Sequence, residues 1–229
     1  MRIGGFQKLT LVDFPGLIAA TVFTQGCNFR CGYCHNPELV LPQLFEKPLL
    51  PEVVLSYLNG LRGKLEGVVI TGGEPTLQKG LPDFIARIRE MGFAVKLDTN
   101  GSHPEVLSSL FELKLIDYIA MDVKSSLAKY AQVTGISCDT TKVQESIDLI
   151  INSGVPYQFR TTLVKEFCCD EDLGYIQPLI KKADHYVLQP FVLSQKMIDP
   201  LFDHHEQYSG SEVELLKAKY DYLVNLGKL

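Results

Sequence analysis

The chain has 229 residues, 46% of them hydrophobic and 21% charged, proportions of a soluble globular protein that exclude collagen-like, mucin-like and disordered chains. A net charge of −5 argues against nucleic-acid binding held mainly by phosphate contacts. The longest apolar stretch, Leu17 to Phe23, is far shorter than the ~20 residues of a membrane-spanning helix.

The opening Met1-Arg2-Ile3-Gly4-Gly5 passes straight into polar sequence without a signal-peptide pattern, so a cytoplasmic, reducing compartment is expected. Residues 1–17 read as an N-terminal segment. From there β-rich runs alternate with helical patterns. The first run is Ile18–Thr24, followed by a helix over Pro51–Leu61 and a strand at Gly67–Thr71. Leu81–Met91 places Leu81, Phe84, Ile85 and Ile88 at i, i+3, i+4 and i+7, with Pro82 in its first turn and Gly92 at its stop. A strand at Ala94–Thr99, a helix at Pro104–Leu113 and a strand at Tyr118–Val123 come next. The helix Thr141–Ser153 carries Val143, Ile147, Ile150 and Ile151. Beyond it lie a strand at Tyr157–Val164, a helix at Asp172–Lys182 and a strand at Tyr186–Phe191. Ser211 and Glu214 read as a capping box before Val213, Leu216, Tyr220 and Leu223 in a last helix.

There is no internal repeat and no low-complexity tract. The β–α alternation, repeated about six times, predicts parallel strands with helices outside them. A closed eight-unit barrel takes about 250 residues. Six units with a long first loop suit this length better, as a partial open barrel or a doubly wound sheet. Both put chemistry at the C-terminal strand ends.

After the first strand stand Cys27, Cys31 and Cys34, three of six cysteines, spaced C-x3-C-x2-C. Clustered thiols in a reducing compartment are metal ligands or catalysts. Four readings apply to this loop. Structural zinc wants a fourth ligand, which only the adjacent His35 offers. Cys31-x-x-Cys34-His35 matches c-type haem attachment but leaves Cys27 over. A disulfide plus a spare thiol is the third reading. The fourth is a [4Fe–4S] cluster with one iron open to another ligand. Cys138, Cys168 and Cys169 are scattered and read as incidental thiols.

The other strand ends are polar. Gly72-Gly73-Glu74-Pro75 follows the second strand: its glycines permit close backbone approach, and Glu74 can accept from an ammonium group. It also reads as an ordinary turn. Asp98-Thr99-Asn100-Gly101 ends the third strand. Asp122 and Lys124 end the fourth, on one face of the alternation and therefore able to pair. Arg160 interrupts the apolar fifth strand and needs an anion, either Asp122 or a ligand carboxylate. Gln189 and Phe191 close the sixth. The set predicts a small zwitterionic ligand with an aromatic moiety near Tyr33 or Phe191.

These motifs resemble the radical S-adenosylmethionine superfamily, through the C-x3-C-x2-C loop with Tyr33 before its last cysteine and through Gly72-Gly73-Glu74-Pro75. Gln25-Gly26-Cys27, Asn36, Asp98-Thr99-Asn100-Gly101 and Asp122-Val123-Lys124 resemble glycyl-radical-enzyme activating proteins. Gly5-Phe6-Gln7-Lys8 and Val12-Asp13-Phe14-Pro15-Gly16 are most similar to anaerobic ribonucleoside-triphosphate reductase activating proteins. The resemblance implies a partial (β/α)6 barrel of parallel strands, open on one side to admit a protein loop. One domain would span 1–229, with its barrel core at 18–191 and a C-terminal loop and helix at 192–229. It implies one [4Fe–4S] cluster on Cys27, Cys31 and Cys34, and S-adenosylmethionine as cofactor. It places Gly73 and Glu74 at the methionine amine, counts Gly72 among the cofactor-binding residues, and places Arg160 at the carboxylate. Tyr33, His35 and Gln189 would lie near the adenosine; Asp98, Thr99, Asp122 and Lys124 would line the polar side, and Asp13 would meet the incoming glycine loop. The implied partners are a glycyl radical enzyme, anaerobic ribonucleotide reductase, and a low-potential electron donor such as flavodoxin or ferredoxin, with neither nucleic acid nor membrane. The alternatives are radical chemistry on a small molecule such as a deazapurine precursor, and a non-enzymatic iron–sulfur or zinc protein. The stretch Asp203 to Tyr208, with His204 and His205, reads as a solvated loop, or as a partner surface or metal site.

Overall fold

The computed structural model describes residues 1–180, 183, 185–202 and 205–223. Asp203 and His204, Lys181 and Lys182 of the predicted helix, and the last six residues lie outside them. Eight strands run β1 Ile3–Thr10, β2 Ala19–Thr24, β3 Gly67–Gly72, β4 Ala94–Thr99, β5 Tyr118–Asp122, β6 Tyr157–Leu163, β7 His185–Pro190 and β8 Tyr222–Leu223. The helices are α1 Pro37–Val40, α2 Pro51–Asn59, α3 Leu81–Glu90, α4 Pro104–Glu112, α5 Tyr130–Thr134, α6 Thr140–Asn152, α7 Asp170–Leu179 and α8 Gly210–Tyr220. Strand order equals chain order, and the sheet stays open with β1 and β8 as its edges. β2–β3–β4 and β6–β7 pair in parallel, while β1 and β8 pair antiparallel to their neighbours. This is the expected open α/β barrel. All six predicted parallel strands form, with ends displaced by at most a residue.

The residues group into two compact units. The first comprises Met1–Asn28, Asn36–Thr99 and Glu105–Ile119, the second Phe29–His35, Asn100–Pro104 and Ala120–Leu229. In the first, β2 and β3 bury nearly every residue, as strands covered on both faces do. Phe14 is a core plug here. With Ala19, Val69 and Tyr118 it forms a buried cluster, and a methyl group on Gly67 would stand 2.8 Å from its ring. Gly16, at φ +77, makes the turn that brings Phe14 down. In the second unit β6 alternates, burying Tyr157, Phe159, Thr161 and Leu163 while Arg160 takes the other face.

Three expectations are corrected. Residues 1–17 contain a strand, β1, whose exposed Gln7, Lys8 and Leu9 and two register shifts hide the period-2 signal. The capping box of α8 is Ser209 with Glu212: Ser209 N donates to Glu212 Oε2 at 2.8 Å, and Glu212 N donates to Ser209 Oγ at 3.3 Å. Ser211 and Glu214 have the same spacing, but Lys165 Nζ reaches Glu212 at 3.1 Å and so favours the earlier pair. The helix ends at Tyr220, and Leu223 belongs to β8. Finally, α7 starts two residues early because Cys169 caps it, its amide and thiol both donating to Asp172 Oδ2 at 3.0 Å.

Candidate active site

The loop after β2 begins in the first unit. Gly26, at φ +110, bends the chain just before Cys27, and its amide donates to Leu39 O at 2.7 Å. Gln25 is buried; its side chain donates to Glu46 O at 3.0 Å and its own carbonyl accepts from Gln78 Nε2 at 3.0 Å. The Gly72-Gly73-Glu74 turn at the end of β3 presses against the same point. Gly73 N donates to Thr24 O at 2.9 Å and Glu74 N to Gly26 O at 2.8 Å. A Cβ on Gly73 would lie 2.1 Å from Gly26 O, and one on Gly72, at φ +107, would lie 2.5 Å from Thr24 N. Both glycines are thus demanded by a backbone-to-backbone joint.

Glu74 is buried to 1% exposure. Its Oε1 accepts from Thr76 N at 3.0 Å, Thr76 Oγ1 at 2.6 Å and Thr99 Oγ1 at 2.8 Å, so Glu74 caps a short helical turn and joins the ends of β3 and β4, as the turn reading expects. Asp98 accepts from Lys96 Nζ and from Thr71 Oγ1 at 3.5 Å. Asp13 accepts from Thr21 Oγ1 at 2.7 Å.

The rest of the loop stands in the second unit. Arg30 N donates to Thr134 O at 2.7 Å, at the end of α5, where Gly135 leaves no room for a side chain: its Cβ would meet Arg30 O at 2.6 Å. Cys34 N donates to Cys31 O at 3.0 Å, and the segment after β7 straps this turn, Asp199 N bonding Gly32 O at 2.9 Å and Ile198 N bonding Cys34 O at 3.2 Å. Gly32 serves closeness here rather than a bend, for a Cβ would stand 3.3 Å from both Asp199 and Phe202. Tyr33 packs among Phe167, Phe191 and Phe202 with ring centroids 6.3, 6.1 and 5.9 Å away. His35 lies 5.6 Å from Phe191. Among the described residues the buried Tyr33 hydroxyl has no hydrogen-bond partner, and burial pushes its pKa well up. Gln189 is exposed at the end of β7.

The predicted pairing at β5 and β6 is present. Lys124 Nζ donates to Asp122 Oδ2 at 2.9 Å and Arg160 Nε to Asp122 Oδ1 at 2.8 Å. Burial opposes the Asp122 charge, but Arg160 and then Lys124 outweigh it and hold this carboxyl far below the usual range. For Lys124 burial likewise opposes the charge, and Asp122 overrides it upward. The three charges sum to one positive. A folded-state pKa below the unfolded one means that this stabilisation is complete above the ordinary carboxylate range and is lost as pH falls through the folded value. Asp122→Asn is expected to cost about 2–3 kcal/mol at pH 7, below the ~3–5 of a fully buried broken pair because Asp122 is 31% exposed. Denaturant unfolding should show that gap shrinking below about pH 4.

Two features escaped the sequence reading. Gln25 and Gln78 form a clamp on the loop entry that no local signal announces. Lys96, buried to 2% exposure beside Asp98, had one: the same i, i+2 spacing that predicted the Asp122–Lys124 pair. Cys168 is fully buried, and burial raises its pKa strongly. With Cys169 as a helix cap, that keeps the pair structural. His205 Nδ1 bonds Glu166.

The donor set suits an iron–sulfur group. Three thiols share one short loop, and burial pushes the Cys31 thiol up to about 11, so it ionises only against strong positive charge. Among the described residues no three His, Cys, Asp or Glu side chains gather as a single-ion site. The open α/β barrel and this loop define an iron–sulfur enzyme with its chemistry at the C-terminal strand ends.

Comparison with known proteins gives the family. The model of the Radical SAM superfamily matches residues 21–167. A Methanocaldococcus jannaschii protein named as a putative glycyl-radical enzyme activating enzyme is 38% identical over 82% of this chain and 79% of its own. The pyruvate formate-lyase-activating enzyme of Clostridium pasteurianum is 31% identical over 71% and 68%. A solved domain of pyruvate-formate lyase-activating enzyme from Bacteroides vulgatus shares the fold with a TM-score of 0.55, at 17% identity, over 71% of this chain and 99% of that one. The chain belongs to the Radical SAM superfamily and is an enzyme of the glycyl-radical-activating type. Membership of that superfamily implies a [4Fe–4S] cluster and S-adenosylmethionine as its cofactors. No described helix is long and apolar enough to cross a membrane.

Proposed function

We propose that this enzyme places a glycyl radical on anaerobic ribonucleoside-triphosphate reductase. The observation that carries the reading is the joint of Gly73 and Glu74 to Gly26. It ties the turn assigned to the ligand's amine to the residue before Cys27, so that whatever binds the one is presented to the other. The relatives named for glycyl radical enzymes support the class of partner. The opening motifs, Gly5-Phe6-Gln7-Lys8 and Val12-Asp13-Phe14-Pro15-Gly16, support the reductase.

In this reading Cys27, Cys31 and Cys34 would hold the cluster. Bound together, cluster and S-adenosylmethionine would supply one-electron cleavage of a carbon–sulfur bond, with flavodoxin or ferredoxin as the electron donor, and so the means to take the α-hydrogen of the partner's glycine. The chain's own residues bind and orient. Gly72, Gly73 and Glu74 receive the methionine amine. Arg160 receives the carboxylate, for which the net positive charge of Asp122, Lys124 and Arg160 is the right sign. Tyr33, His35 and Gln189 serve the adenosine, and the aromatic group around Tyr33 excludes water there. Asp98 and Thr99 supply acceptor and donor groups, and Asp13 meets the glycine loop.

Mixing the reconstituted, reduced protein with S-adenosylmethionine and the reductase is expected to produce a glycyl radical signal by electron paramagnetic resonance. Cleavage of S-adenosylmethionine with no such signal on the reductase, while a different glycyl radical enzyme acquires one, would reassign the partner.

A further inference from the structure

Lys96 is a charged side chain in the middle of β4, level with Val69 of β3 and buried to 2% exposure. An ammonium there costs several kcal/mol of lost hydration, and an unbranched apolar residue would fill the same space without that cost. Its Nζ is spent on Asp98 Oδ1. Asp98 itself is not sealed in: its side chain keeps 15% exposure, at the C-terminal end of the strand, where Thr71 Oγ1 approaches its second oxygen. The next residue, Thr99, bonds Glu74. The lysine thus lies beneath a carboxylate that reaches the surface where the ligand is assigned. A cation behind a carboxylate fixes one oxygen so that the other points in one direction.

We propose that Lys96 is a positioning residue for S-adenosylmethionine. It acts through Asp98, holding that carboxylate aimed at the ligand's hydrogen-bond donors. The proposal rests on the assignment of Asp98 to the ligand's polar side.

The test uses the full chain, anaerobically reconstituted, as wild type, Lys96→Met, Asp98→Asn and the double variant. Each is reduced and titrated with S-adenosylmethionine. The change in the electron paramagnetic resonance spectrum of the cluster gives the half-saturation point, with melting temperature and iron content recorded in parallel. Lys96→Met and Asp98→Asn are each expected to raise half-saturation about 10-fold. The double variant is expected to match Asp98→Asn alone, because the lysine has no route to the ligand except through the carboxylate. Wild-type affinity in Lys96→Met, with Asp98→Asn impaired, overturns the proposal and leaves the Asp98 assignment standing. Wild-type affinity in Asp98→Asn overturns both. A purely structural lysine would lower the melting temperature of both Lys96 variants and leave the affinity of the folded protein unchanged, which also overturns it. If Lys96→Met does not fold, the double variant, which holds no lone buried charge, decides by the same comparison: an affinity below that of Asp98→Asn refutes the proposal.

Discussion

Replacing Cys27, Cys31 or Cys34 by Ala, one at a time, is expected to abolish release of 5′-deoxyadenosine from S-adenosylmethionine. The loss should exceed the roughly 10–100-fold that follows removal of a group merely supporting a ligand, because a cube held by two thiolates has lost part of its attachment and not only its alignment. Iron bound per chain should fall with it. The fold should survive. Cys27 is half-buried, Cys31 is buried, and Ala fills neither position badly, so thermal unfolding of the metal-free protein should move little. Replacing Cys138, which is half-buried and outside the loop, is the matched control and should leave both product and iron unchanged. Chromatography of the nucleoside product, with iron and sulfide analysis of the same samples, separates the outcomes. Unchanged product from any of the three loop variants would remove that cysteine from the cluster.

Gly73→Ala carries the second large effect. The added methyl would stand 2.1 Å from Gly26 O and 2.6 Å from Gly26 C, and both obstacles are backbone, so neither swings aside as a side chain would. The chain has two responses: it gives up the Gly73–Thr24 and Glu74–Gly26 hydrogen bonds, or it pushes the start of the cysteine loop away. Either is expected to cost about 3–4 kcal/mol, and the second also lowers iron content after reconstitution. Gly92→Ala makes the comparison. Gly92 has φ +91 and nothing within 4 Å of the added Cβ, so only backbone strain of about 1–2 kcal/mol applies, and iron loading should stay complete. A Gly73→Ala protein that melts like wild type and loads its full iron would show that the joint is not needed.

The parts of the fold legible in the sequence were those whose signal is local. Leu81, Phe84, Ile85 and Ile88 lie on one face of α3 and are all buried. Asp122 and Lys124 meet because two residues on one strand share a face, and Arg160 was bound to seek an anion. Where several local choices were equally good, the outcome was set elsewhere. Ser209 and Ser211 both precede a Glu by three residues, and Lys165, more than forty residues away, decides between them. β1 was unreadable because an edge strand with bulges and exposed Gln7, Lys8 and Leu9 has no burial alternation to display.

The sequence by itself determined that three thiols within eight residues share one loop and that parallel strands alternate with helices, with the strand ends as the working edge. Open barrel or doubly wound sheet, and cluster or another thiol site, were choices made by the resemblance that these motifs carry. Only the tertiary structure decided how that edge is held. It set Gly73 against Gly26, gathered Phe167, Phe191 and Phe202 around Tyr33, and buried Lys96 under Asp98. These are contacts between residues far apart in the chain, or facts of burial, and composition and spacing do not encode either. They arise when strands pair in register and their side chains compete for the same volume.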